Sequence, residues 1–383
     1  MRRIVALGLT GILCLLTLGS YDALGAAEPA AVLVVKASSD SGYRTELPVD
    51  SAELLKAIQR KNRPSRQDVS MPLTDTFLIL KRKDTAETEF SVDSQGGLRN
   101  GEGAALDLPP EVQGELHRLR LQARKQHYGE MTPWSDVKRK LPLKSVSTVK
   151  DLETGLSFRV QRRAGSKHAD MQPLTKADTE VMKEIYGGEW SWRRRAVLVE
   201  YEGHRFAGSM HGMPHGGDGI PDNGFSGHFC IHFHGSTTHG SGNTDPDHQW
   251  MIRKAAGRWD ETFAAASPGD IIESFLVAVN QHDPELLKHG FARMDHPQLV
   301  AFLGEMKEIK AIRIAASKDK RKPASWDGLL SADVPVELTL HRSGMRPEKQ
   351  VFTFLMRRAG PDAPWKIDGI NRISPHGKGM KSP

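Results

Sequence analysis

The sequence predicts a multidomain α+β protein with a β-rich centre, and three observations predict it. Its 383 residues exceed one domain at roughly 100–200 residues each. Its 38% hydrophobic and 26% charged residues give a globular balance that excludes collagen-like and wholly disordered chains. The apolar pattern also changes twice along the chain, from mixed helix and strand, to strand-dominated alternation, to helices followed by strands.

Residues 1–25 predict a cleavable secretory signal. Arg2 and Arg3 precede an apolar run over 4–18, and Ala23-Leu24-Gly25 places small residues before an expected cut after Gly25 or Ala27. Cys14 leaves with that segment, so the mature chain keeps Cys230 alone. Two cysteines exclude a disulfide scaffold, and no CxxC pair predicts a zinc site. No later stretch approaches about 18 apolar residues in a row, so no transmembrane segment is expected in the mature chain. The expected location is the periplasm or cell wall. Removal of the signal shifts the net charge from +6 to +5. That sign suits an anionic polymer such as the cell wall, whereas export and the lack of a recognition motif argue against nucleic acid.

Residues 28–130 predict a small α+β domain of unknown role. Ala31-Val32-Leu33-Val34-Val35 is a strand, 51–59 a short helix, 76–81 a second strand and 93–103 a Gly-rich turn. Pro109-Pro110-Glu111 opens a helix to about 126 with Val112, Leu116, Leu119 and Leu121 as its apolar face.

Residues 134–256 predict a β-rich Cys/His domain. Thr154-Gly155 turns a hairpin, and Thr175-x-x-Asp178 caps a helix stopped by Gly187-Gly188. Glu202-Gly203 joins strands at 196–199 and 205–210, and Asp245-Pro246 opens another helix. In 190–195 the Trp side chains are expected to pack and the Arg side chains to face water, a grip on a glycan or carboxylate being the alternative.

Residues 267–373 predict helices followed by a sheet. Ser267-Pro268-Gly269-Asp270 caps a helix with Ile271, Phe275, Leu276 and Val279 on one face, and Asp283-Pro284-Glu285 starts a second. Strands follow at 334–340, 350–356 and 365–370. This order, closed by Trp365-Lys366-Ile367-Asp368-Gly369, resembles the nuclear-transport-factor-2-like cone, which implies a non-catalytic pocket or spacer.

The chemistry concentrates in the centre. Eight of the 16 histidines lie between His204 and His248, together with the mature chain's cysteine. In Gly227-His228-Phe229-Cys230-Ile231-His232-Phe233-His234 a strand would turn Phe229, Ile231 and Phe233 to one face, and His228, Cys230, His232 and His234 to the other. An imidazole beside a thiol activates it as a nucleophile by lowering its pKa. This reading requires the sulfur to be open to solvent.

His211-Gly212, followed at a matching distance by Gly227-His228-Phe229-Cys230-Ile231-His232, resembles the catalytic block of L,D-transpeptidases of the YkuD type. The resemblance implies Cys230 as nucleophile, His211 as general base oriented by the Gly212 carbonyl, and His228 beside the acyl site. His215 is a rival base. His232 and Phe229 would lie on the substrate side. Gly227, Phe229 and His232 depart from the family's Ser/Thr, Gly and Asn/Arg. The wider segment is also similar to exported bacterial proteins that carry Thr-His-Gly and His-Gln after the Cys block, here Thr238-His239-Gly240 and His248-Gln249. The implied activity is that of a cysteine acyltransferase or carboxypeptidase on peptidoglycan stem peptides, with no cofactor.

The competing reading is a non-enzymatic envelope binding protein. His168-Ala169-Asp170 would add side chains to the His232 and His234 face, and imidazole with thiolate suits zinc or copper. No HExxH or CxxC spacing assigns a metal from sequence.

Overall fold

The computed structural model describes residues 30–60, 73–82, 85–217, 219–240, 242–315 and 325–373; the predicted signal lies outside them. The protein is mixed α and β. Every pairing between its named strands is antiparallel.

The first part contains β1 (Ala31–Val35), β2 (Thr45–Pro48), α1 (Ala52–Arg60), β3 (Thr76–Arg82), β4 (Thr85–Val92), β5 (Leu98–Arg99) and α2 (Pro110–His127). The sheet order is β2-β1-β3-β4-β5. Ala31, Leu33 and Val35 enter its core beside Val112 and Leu116 of α2. Leu121 departs from its expected place and is half exposed. It lies five residues past Leu116, about 140° around the helix, whereas Arg120 and Ala123 fall on the inner face and are buried. Arg120 offsets its burial by pairing with Asp75 and Asp260.

The centre begins with α3 (Trp134–Lys140), followed by β6 (Val146–Asp151), β7 (Ser157–Ala164), β8 (Ala169–Pro173), α4 (Lys176–Ile185), β9 (Arg194–Tyr201), β10 (His204–His211) and β11 (Phe229–His232). The six strands close into a barrel in the order β10-β11-β8-β7-β6-β9. Val149, Val160, Met171, Val199, Phe206 and Ile231 belong to its interior cluster. The β9–β10 turn uses positive φ at both Glu202 and Gly203, 46° and 77°, the twist-matching geometry of a two-residue hairpin loop. Thr175 and Asp178 form the expected capping box of α4.

α5 (Pro246–Ala255) leaves the barrel, followed by α6 (Trp259–Ala265), α7 (Pro268–Gln281), α8 (Pro284–Gly290) and α9 (Pro297–Glu305). The last four strands, β12 (Ile309–Ile314), β13 (Ser331–Arg342), β14 (Glu348–Arg357) and β15 (Lys366–Ile373), form a sheet in sequence order. Ile271, Phe275, Leu276 and Val279 are buried against this sheet as one core. No helix among the described residues is long and apolar enough to cross a membrane.

The barrel is joined to the rest through β9. Val197 and Val199 point into the barrel, while Ala196 and Leu198 point outward into a second core shared with Trp250, Met251 and the terminal parts. A strand buried on both faces reads as a continuous apolar run. Next to this seam, buried Lys254 of α5 donates to Asp283 at 2.5 Å and to Glu153. The two carboxylates hold its ammonium well above the ordinary lysine value despite full burial. Lys254→Met is therefore expected to lower unfolding stability by roughly 3–5 kcal/mol, because two carboxylates lose their cation. Urea denaturation checks this, and a loss below about 1 kcal/mol would mean that the trio does not hold the seam.

Candidate functional site

β11 runs Phe229-Cys230-Ile231-His232, all buried. Phe229 and Ile231 fill the barrel, as the alternation requires, and Cys230 and His232 point outward. They are covered as well. β8 alternates in the same way, so Ala169 and Met171 lie inside the barrel. Asp170 faces Cys230 directly across the strand pair. The chain between β10 and β11 folds back over this face, where the His215 and His228 backbones bond to each other at 3.0 and 2.8 Å. That return needs glycine on either side. Gly216 and Gly227 have φ of 69° and 81°. A Cβ on Gly227 would lie 2.3 Å from the His215 carbonyl, and one on Gly216 would lie 2.4 Å from the His228 ring.

The imidazole that reaches the sulfur is His215. Its Nε2 lies 3.3 Å from Cys230 Sγ, and its Nδ1 lies 3.0 Å from the Met213 carbonyl. A carbonyl accepts only, so Nδ1 carries the proton and Nε2 is left to accept from the thiol. Burial lowers the pKa of His215. Burial first, and then the Asp170 carboxylate 3.9 Å away, push the thiol up. The result is a neutral thiol bonded to a neutral imidazole. This corrects the expectation of an open sulfur with a lowered pKa: Cys230 is only 4% exposed and faces a carboxylate.

The other expected site residues are distributed as follows. His211 closes β10, is buried, and stands with its ring against Trp192 and His215. Its Nδ1 has no hydrogen-bond partner. Gly212 donates its N–H to the Ser191 carbonyl, and a Cβ there would lie 2.5 Å from the Tyr186 ring, so its smallness serves packing. His228 contacts His215 edge-on and lies 4.0 Å from Asp170. Phe229 does not meet the substrate side, because it is sealed inside the barrel against Phe158 and Phe225. His232 is sandwiched between the rings of His168 and His248, at 4.4 and 3.8 Å. The stack covers its ring, so His232 does not lie on an open substrate side. His234 lies beyond the strand, paired by its backbone with Pro133.

Two residues, His248 and His239, join the site without a role assigned from sequence, together with Asp170, which the sequence offered as a metal side chain. His248 bonds Ser209 Oγ at 2.9 Å. Asp170 is ringed by His168, His228 and His239; burial raises its carboxyl, but these imidazoles prevail and hold it below the ordinary value. His239 stands on the exposed side of that ring. Their signal in the sequence was His168-Ala169-Asp170, Thr238-His239-Gly240 and His248-Gln249. Trp192, expected to pack, is half exposed above His211 and His215, while Trp190 packs on Phe225. Arg194 and Arg195, expected in water, pair with Asp245 and Asp151. Among the described residues, four overlapping trios of His, Cys and Asp side chains bring their ligand atoms within 4.8 Å of one another.

No known protein family and no curated protein matches the chain.

Burial keeps several imidazoles neutral. It lowers His232 to about 2 and His127, between Tyr43 and Tyr128, to about 3, and it lowers His211 and His248 in the same direction. A histidine with a depressed folded pKa stabilises the fold above its unfolded value, and that stability is lost as pH falls below about 6.5. His232 and His127 should each withdraw about 2 kcal/mol between neutrality and pH ~5. Asp247, raised to about 6 by burial, opposes this with one group. The urea midpoint is expected to fall steadily from pH ~7.5 to pH ~5. A midpoint that holds or rises over that range would contradict the buried, neutral imidazoles.

Proposed function

We propose that the chain is an exported cell-envelope enzyme that transfers acyl groups of peptidoglycan stem peptides through Cys230, as an L,D-transpeptidase-like crosslinking enzyme or carboxypeptidase. One observation carries this reading: the thiol, the His215 ring and the Met213 carbonyl form a continuous line of two contacts, 3.3 and 3.0 Å. A nucleophile, a base within reach and a third group that fixes the base's tautomer are the parts that thiol acyl transfer requires. In this reading His215, rather than His211, is the base, and because Cys230 is only 4% exposed, the cover over the sulfur must open to admit the substrate.

Because thiol and imidazole are both neutral at rest, the proton moves during attack. As Sγ bonds to the substrate carbonyl carbon, the S–H proton passes to His215 Nε2. Collapse of the tetrahedral intermediate breaks the C–N bond, and the departing amine of the terminal amino acid takes that proton. The thioester is then attacked by an acceptor amine, forming a crosslink, or by water. His215 takes the attacking group's proton and returns it to the sulfur. Exposed Trp192 beside both imidazoles offers a stacking surface for the incoming ligand.

The 267–373 segment is read as a nuclear-transport-factor-2-like cone serving as a spacer or pocket. The order of α7, α8 and α9 before four antiparallel strands supports this. The second functional reading, an envelope binding protein, draws on the burial of Cys230 and the crowding of ligand atoms around it.

Intact-mass analysis after exposure to a wall tetrapeptide or a carbapenem separates the two. One covalent adduct on the wild-type chain is expected, with none on Cys230→Ala. Acylation of His215→Ala should be about 100-fold slower or more, and that of His211→Ala less affected. Absence of an adduct on the wild type, or an unchanged rate in His215→Ala, would reject the enzyme.

A further inference from the structure

We infer that His168, Asp170 and His239 form a divalent metal site of the zinc class beside the thiol–imidazole pair, an inference that does not rest on the acyl-transfer reading. His168 precedes β8, and Asp170 follows two residues later on the same outward face, so strand alternation sets both on one side. His239 comes from the loop after β11. His168 Nε2 lies 3.2 Å and His239 Nε2 3.7 Å from Asp170 Oδ1. The three ligand atoms lie within 4.8 Å of one another.

The ring of His168 is fixed from behind. Its Nδ1 donates to the Thr237 carbonyl at 2.8 Å, which holds the ring with Nε2 directed at Asp170. Nε2 is buried and its approach to the carboxylate does not complete a hydrogen bond. An imidazole only 2% exposed, anchored through one nitrogen with the other unsatisfied and aimed at a carboxylate, has the form of a metal ligand. A buried polar atom without a partner calls for an occupant of this kind.

Two imidazoles and one carboxylate suit zinc or a similar borderline cation. Their separations are close to those set by metal–ligand bonds of about 2.0–2.2 Å. The buried wall consists of His168 and Asp170, whereas the His239 side chain is 55% exposed. Ions therefore enter on the His239 side, which also leaves a coordination position facing solvent. Cys230 Sγ, 3.9 Å from Asp170 Oδ1, is the rival for the third place, and the two arrangements differ in which residue binding depends on.

Full-length protein stripped of metal is titrated with Zn²⁺ by calorimetry and with Co²⁺ by visible absorption. The expected result is one ion per chain, with Co²⁺ lacking a strong sulfur charge-transfer band. Binding should weaken at least about tenfold in His239→Ala and stay within about threefold of wild type in Cys230→Ala. His239 is exposed, so its variant should fold; circular dichroism verifies this. No stoichiometric binding, binding indifferent to His239→Ala, or binding lost in Cys230→Ala would overturn the site. These readouts do not involve acyl transfer, so a failure here leaves the Cys230 adduct test standing, and the reverse also holds.

Discussion

The site depends on the two-residue periodicity of β11 inside a closed barrel. Phe229 and Ile231 are locked into the interior, and this fixes Cys230 and His232 on the outer face with no freedom to slip. A register shift of one residue would place a thiol and an imidazole among the aromatic rings and turn two large apolar side chains out. The antiparallel pairing with β8 then sets Asp170 opposite the sulfur. The hydrophobic packing of the barrel thereby positions polar groups that it never touches.

That outer face is roofed by chain rather than left open, and the roof determines the electrostatics. The return through 212–217 and 219–228, closed by the His215–His228 backbone pair, carries His215 to the sulfur. The N-terminal end of α5 brings His248 onto His232. Removal from water disfavours charge on His211, His215, His232 and His248 and on the thiol. Neutral imidazoles keep a lone pair for a proton or a cation. Proton transfer at His215 follows from that state, whereas metal binding at His168 and His239 rests on their placement around Asp170.

Much of the local structure was legible in the sequence. Thr175-x-x-Asp178 and Ser267-Pro268-Gly269-Asp270 are capping boxes that need no tertiary context, and Glu202-Gly203 marks a turn by backbone preference alone. The alternation in β11 showed which residues enter the core. It did not show that the opposite face is covered, because the cover comes from residues 212–217 and 219–228 and from α5, whose placement is a long-range matter. For the same reason the sequence assigned an exposed, acidified thiol where burial and Asp170 push the other way. The choice between His211 and His215 turned on spacing alone, whereas in the structure the bend at Gly216 brings the His215 ring to 3.3 Å from the sulfur. β8, α6 and α9 escaped notice because short segments such as Ala-Asp-Met-Gln-Pro carry little periodic signal.

The central claim is that Cys230 rests as a neutral thiol bonded to a neutral His215. The most direct measurement is a pH titration of thiolate absorbance in metal-free protein, with Cys230→Ala as the blank. The account predicts no thiolate at neutral pH and ionisation only above the ordinary cysteine value of about 8.5. A thiolate already formed at neutral pH would contradict it.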